Sequence, residues 1–224
     1  MFRRLFMRVF TGAKDVNGSD FKVQTHLENP EDAADLLKEL DGMCRAIISH
    51  MVKKYTGGIY TEKAEFNPKK AYERALRESP SFAQIPDRDA RARIIARNML
   101  HRYDSGNLVE NDPRGTTNTS YVLKKGQIMA ICLRERRSGK KHLHELPILQ
   151  FVTMHELAHV GTLDNGHNPS FWKNFKLILQ EAAEIGYMLP DFKTMQPQLY
   201  CGIKVTQNPY YSDIDLQILG PDDV

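Results

Sequence analysis

The sequence predicts an α+β protein in which helices pack on a small, mainly antiparallel sheet. Apolar residues recur at helical spacing in several separate segments. Between them, residues 120–123 and 127–134 read as short strands rich in β-formers, joined by Lys124-Lys125-Gly126 as a hairpin turn. The 224 residues are 41% apolar and 26% charged, enough for one sizeable core and too evenly mixed for a fibre, a coiled coil or a disordered chain.

Each element has a local cause. Asn29-Pro30 and Asp32 read as a cap, a first-turn proline and an acidic first turn, followed by Leu36, Leu37, Leu40, Met43, Cys44, Ile47, Ile48 and Met51 at helical spacing. That helix should run to about Tyr55 and stop before Gly57-Gly58. A polar stretch with three prolines holds a short helix around 71–77. A second long helix, 87–103, turns Ile94, Ile95, Met99 and Leu100 to the core and carries five arginines. Residues 104–119 are rich in Asn, Asp, Gly, Pro and Thr and read as a loop. The strand at 129–133 is apolar on both faces. After a basic loop, Pro147 opens one helix, and Asn168-Pro169 caps another with a stripe of Phe171, Phe175, Ile178, Ala182 and Ile185, ended by Pro190. The division that follows is an arm at 1–28, a domain at 29–190 and a tail at 191–224.

No apolar run approaches the ~20 residues that span a bilayer, and the opening MFRRLFMRVF is too short and too charged for a signal-peptide core. The expectation is a soluble intracellular protein of cytoplasm or nucleus, not secreted and without a membrane partner. Cys44, Cys132 and Cys201 are odd in number, far apart and without CxxC spacing. That pattern excludes a disulfide framework or a cysteine zinc ribbon and predicts reduced, mostly buried thiols. The net charge of +3 is uneven, because residues 68–103 and 120–145 each net +5 and the remainder nets −7. Two basic stretches on an acidic background suggest a local positive surface for DNA, with Arg88, Arg91, Arg134, Arg136, Arg137, Lys140 and Lys141 on one face.

The chemistry lies in His155-Glu156-Leu157-Ala158-His159. On a helix, positions i and i+4 share a face, so His155 and His159 direct imidazoles to one point, where zinc binds at ~2.0–2.1 Å. Glu156 sits about 100° round the helix, beside the metal without ligating it, which suits a base that takes a proton from zinc-bound water. For the third ligand, His167 stands at a loop-to-helix junction behind Gly161 and Gly166, and Asp164, Glu181 and Glu184 compete with it. His167 is favoured for its rigid ring and its place before the next helix. Three ligands leave the fourth position open, the catalytic arrangement. His142 and His144 read as exposed bystanders.

The run from Ile131 to Gly186, and above all HELAH followed by GHNPSFW at 166–172, resembles the WLM family of zinc peptidases. More loosely it is similar to the SprT and Spartan proteases and the YgjP-like peptidases. The likeness covers roughly residues 86–190; the step from His159 to His167 is longer than usual, and Asn168 stands where Asp is common. It implies a zincin-like fold, Zn2+ held by His155, His159 and His167, and Glu156 as catalytic acid/base. It also implies a protein or peptide substrate. Such relatives digest proteins trapped on DNA, are recruited through DNA, ubiquitin or SUMO contacts, and occur in large DNA viruses, so DNA–protein crosslink repair is the implied setting.

The expected function is therefore zinc-dependent peptide hydrolysis on DNA-associated proteins, with the strand 127–134 as the edge that holds substrate. Tyr121 and Tyr200 are both candidates for oxyanion stabilisation, and the sequence selects neither. The alternatives are a nucleic-acid-binding protein with a non-catalytic zinc site and a small-peptide zinc hydrolase. In the tail, Leu216-Gln217-Ile218-Leu219 between Asp213, Asp215, Asp222 and Asp223 resembles a SUMO-interacting motif; a terminal strand packed on this chain's own core is the competing reading.

Overall fold

The computed structural model describes residues 13–14, 21–57, 87–111, 119–135, 142–163, 166–195 and 197–216. In chain order these form β1 (Ala13–Lys14), β2 (Val23–Gln24), α1 (Pro30–Thr56), α2 (Asp87–Arg102), β3 (Leu108–Glu110), β4 (Tyr121–Leu123), β5 (Ile128–Ile131), α3 (Leu146–Gly161), α4 (Pro169–Glu184), β6 (Gln198–Tyr200) and β7 (Ile203–Val205). The fold is α+β, four helices against small sheets. No helix among the described residues is long and apolar enough to cross a membrane. The short helix expected at 71–77, Asp164, the loop residues Arg136, Arg137, Lys140 and Lys141, and Ile218 and Leu219 lie outside the described residues.

The core is built on α1, which packs against the three other helices. Leu37, Leu40, Ile47 and Met51 are fully enclosed, and each such side chain contributes about 1.5–3 kcal/mol of transfer free energy. Gly57, in the left-handed region, stops the helix where the sequence places its end. Its start differs from expectation. Asn29 is itself left-handed, with φ 51°, and its side chain makes no capping bond. The buried Arg134 guanidinium instead donates to the carbonyls of Glu28 and Asn29.

The three-stranded sheet has the order β3-β5-β4, with β3 parallel and β4 antiparallel to β5. It is thus mixed, and the pairs β1–β2 and β6–β7 are antiparallel. The expected hairpin forms, with Lys124, Lys125 and Gly126 all at positive φ. Only glycine fits the last of these positions, because a Cβ there would stand 2.5 Å from the Arg102 carbonyl oxygen. Strand β3 lies in the segment read as a loop. By pairing with β5 it makes β5 the central strand and corrects the expectation that 127–134 is a free edge. On the far side Lys22 bridges to Val109, so among the described residues the sheet edge without a partner strand is that of β4.

Helix α4 begins as the sequence dictates, with Asn168 Oδ1 accepting from the Phe171 amide at 2.9 Å. It ends at Gly186 rather than Pro190: the Tyr187 and Gly186 amides fold back on the Ala182 and Ala183 carbonyls, and Gly186 takes φ 96°. Val23, Phe192, Tyr200 and Leu216 belong to the same core as α1. Leu216 is buried, so the first residue of the SUMO-like tetrad is occupied with internal packing.

Two further expectations are corrected here. Cys132 and Cys201 form a disulfide with Cα atoms 6.5 Å apart, and only Cys44 is a free buried thiol, which burial pushes up to about 12. A separation of 69 residues leaves no local spacing from which to read the pair. The arginines at 88, 91 and 134 do not line a DNA face. Arg134 pairs with Glu110 at 2.6 Å, with both side chains fully buried, and Arg91 is buried and donates to Asn174. Arg88 is taken up by Glu181 and Tyr55.

Candidate metal centre

Helix α3 carries His155 and His159 one turn apart, and Gly166, with φ 88°, immediately precedes His167, which stands against them. His167 Nε2 lies 2.9 Å from His155 Nε2 and 3.1 Å from His159 Nε2. Tetrahedral ligands at zinc's ~2.0–2.1 Å are separated by ~3.3 Å, so both His167 distances stand within a few tenths of an ångström of that spacing. All three ligand atoms fall within 4.8 Å of one another. Burial, reinforced by the neighbouring imidazoles, lowers His155 to about 3; burial, His167 and Lys125 lower His159 to about 4; burial lowers His167 as well. The rings are therefore neutral at pH 7 and offer lone pairs.

Aromatic packing holds the rings in place. Phe171 stacks on His159 with centroids 4.2 Å apart, and His155 is enclosed by Phe171 at 4.8 Å and Phe175 at 5.1 Å. Both phenylalanines come from the stripe of α4, so the helix that follows the motif serves as its backing. Helix α2 secures the end of α3. Asn98 donates to the Gly161 carbonyl at 2.8 Å, and Arg102 donates to the carbonyls of Val160 and Thr162. A chain from Arg91 through Asn174 to Thr162 Oγ1 continues this support. Gly161 permits the approach, since a Cβ there would stand 2.8 Å from Ile95 Cγ2.

Glu156 is buried, its Oε2 takes no hydrogen bond, and burial pushes its carboxyl up to about 8. Thr153 Oγ1, three residues earlier, is likewise buried without a partner. Burial holds this carboxyl protonated beside three neutral imidazoles with no cationic partner among the described residues, and a dication at the imidazoles would favour its carboxylate form. The donor set fits zinc, and among the described residues no fourth His, Cys, Asp or Glu joins it.

The two competing glutamates fall elsewhere. Glu181 and Glu184 gather with His50 and are already paired with Lys54, while Tyr55 and Arg88 also donate to Glu181. His144 is no bystander: its ring lies 5.0 Å from Tyr200, its Nε2 accepts from the Cys201 amide, and burial lowers its pKa.

The three imidazoles and Glu156 line a cleft of about 1080 Å³. Residues 119–125, which include β4, form one wall, and Tyr200 with residues 203–209, which include β7, form the other. Phe151, Val152, Trp172 and Phe175 add apolar surface, and His155, Glu156, His159 and His167 also line it. Tyr121 and Tyr200 both line the cleft; the Tyr200 hydroxyl is bonded to Ser120 Oγ at 2.6 Å, and burial raises Tyr121. The Cys132–Cys201 bond and the Tyr200–Ser120 contact tie the β6–β7 wall to the sheet. Neither was legible in the sequence, because each joins residues more than 65 positions apart.

The chain is similar to three viral proteins. It is 33% identical over 102 residues to uncharacterized protein R325 of Acanthamoeba polyphaga mimivirus, covering 45% of this chain and 50% of that protein. It is 36% identical over 67 residues to uncharacterized protein 136R of Invertebrate iridescent virus 6, covering 30% of this chain and 37% of that one. It is 39% identical over 71 residues to uncharacterized protein 042R of Invertebrate iridescent virus 3, covering 32% and 43%. The matches thus span half or less of these relatives. No family model matches the chain, and no solved structure matches it.

Proposed function

We propose that this chain is a zinc metallopeptidase of zincin type, related to the WLM family, that hydrolyses peptide bonds. The observation that carries the reading is the convergence of three neutral imidazoles beside the buried, unpartnered Glu156, in a cleft with a bare strand edge on one wall. Zinc, when bound by His155, His159 and His167, supplies a Lewis acid that acidifies water and polarises a carbonyl. Glu156 accepts the proton from the attacking water and returns it to the leaving amine. The backbone of β4 pairs with an extended substrate and fixes its register. Tyr121, kept neutral by burial, is a phenol donor within the same cleft.

Catalytic rather than structural zinc is supported by the ligand count, three among the described residues. A peptide rather than a small-molecule substrate is supported by the size of the cleft and by β4. A DNA-associated substrate is the finer part of the proposal. With Arg88, Arg91 and Arg134 engaged internally, it rests on the likeness to DNA-linked proteases and on the basic residues 136–141 outside the described region.

The test is metal analysis of the purified protein together with cleavage of unfolded protein and quenched-fluorescent peptides, with and without DNA. One zinc per chain and turnover in the wild type, with zinc retained and turnover lost in Glu156→Gln, is the expected result. Full activity in Glu156→Gln would falsify the mechanism. Stimulation by DNA supports the finer reading, and its absence removes that part alone.

A further inference from the structure

We propose that the cleft selects acidic peptide segments. This rests on the peptidase reading and adds its substrate class. Lys124 and Lys125 follow β4 on one wall, and Lys193 and Lys204 line the cleft with the opposite wall. Glu156, buried beside the imidazoles, is the one carboxylate among the described lining residues. Lys124, Lys193 and Lys204 are exposed and form no ion pair with any described residue. Ser212 and Ile214 line the cleft, while the intervening Asp213 and the following Asp215 are exposed and do not.

Four ammonium groups around one cleft, with one enclosed carboxylate, produce a positive potential where a substrate enters. The five arginines of α2 do not share in it, because Arg88 pairs with Glu181, Arg91 and Arg97 are buried, and Arg93 and Arg102 donate to backbone carbonyls. The same cleft is lined by the apolar side chains of Phe151, Val152 and Phe175. The favoured substrate is therefore an extended segment with an apolar residue in the middle and Asp or Glu on both flanks. A peptide is favoured over a nucleic acid because the wall that carries Lys124 and Lys125 also includes β4, which has no second partner strand among the described residues and whose N–H and C=O groups match another backbone.

The experiment measures binding rather than turnover. Fluorescent ten-residue peptides with one apolar centre and acidic, neutral or basic flanks are titrated into Glu156→Gln protein loaded with zinc. At about 50 mM salt the acidic peptide should bind at least ~10-fold tighter than the basic one, since each exposed pair contributes up to about 5-fold. The gap should narrow at about 300 mM salt. Lys193→Glu with Lys204→Glu should remove or invert it, whereas Lys38→Glu with Lys53→Glu, exposed on α1 away from the cleft, should leave it in place. Equal affinities across the series overturn the proposal, as does an oligonucleotide that binds more tightly than the acidic peptide and displaces it. If the charge preference holds and the wild type cleaves none of the peptides, the peptidase reading fails and the charge selection stands.

Discussion

Two clusters of metal-competent side chains sit on this scaffold, and they are opposites in charge balance. His155, His159 and His167 lie beside the buried Glu156 carboxyl, whose Oε2 has no hydrogen-bond partner among the described residues. His50, Glu181 and Glu184 also bring three donor atoms within 4.8 Å, yet Lys54 reaches both glutamates and Arg88 reaches Glu181 at 2.7 Å. The second cluster has its positive charge built in; the first lacks it. Donor spacing alone therefore does not define a metal site, and the charge already present around the donors decides which cluster has room for a dication.

The largest expected effect separates the clusters directly. His159→Ala should lose zinc and all peptidase activity, whereas His50→Ala should keep one zinc per chain, both read by metal analysis of dialysed protein. Glu156→Gln should keep zinc and lower kcat/KM by about 10²–10⁴-fold. Zinc lost from His50→Ala and kept in His159→Ala would exchange the roles of the two clusters.

A smaller effect weakens the scaffold without touching either cluster. Reduction of Cys132–Cys201, or Cys132→Ser with Cys201→Ser, should cost about 2–4 kcal/mol in denaturant unfolding while zinc content stays at one. Smaller again is Glu181→Gln, at about 2 kcal/mol. This is below the ~3–5 kcal/mol of a fully buried pair, because Lys54 and Arg88 keep a route to water. An unchanged midpoint would mean that this cluster is dispensable to the fold.

The smallest is a pH dependence. Burial acts to raise Glu181, but hydrogen bonds from Tyr55, Lys54 and Arg88 outweigh it and hold the carboxyl below its ordinary value. A depressed folded pKa contributes stability above the unfolded value of about 4.3, and that stability is lost as pH falls through the folded value. The gap between wild type and Glu181→Gln, measured on EDTA-treated protein, should therefore be constant near neutrality and shrink below about pH 4.3, by at most ~1.4 kcal/mol per pH unit. A gap that widens on acidification would contradict this sign.

Much of the site was legible because its causes are local. The i, i+4 spacing puts His155 and His159 on one face, Asn168 caps α4 through its own side chain, and the Phe171 and Phe175 stripe backs the imidazoles. Lys124-Lys125-Gly126 turns the hairpin as its composition requires. The apolar character of both faces of 129–133 already marked a central strand, and the misreading of it as an edge came from missing β3.

What the sequence determined by itself was thus the four long helices, the Asn168 cap of α4 and the placement of the motif, since those depend on neighbours within about one turn of the chain. Only the tertiary structure decided the rest. Strand β3 is too short and polar-flanked to stand out until β5 pairs with it. Arg91 and Arg134 look like surface charge until Asn174 and Glu110 bury them, and Cys132 meets Cys201 across 69 residues. Sequence spacing carries no record of such contacts, because the energy that selects them is the burial of one element against another far away in the chain.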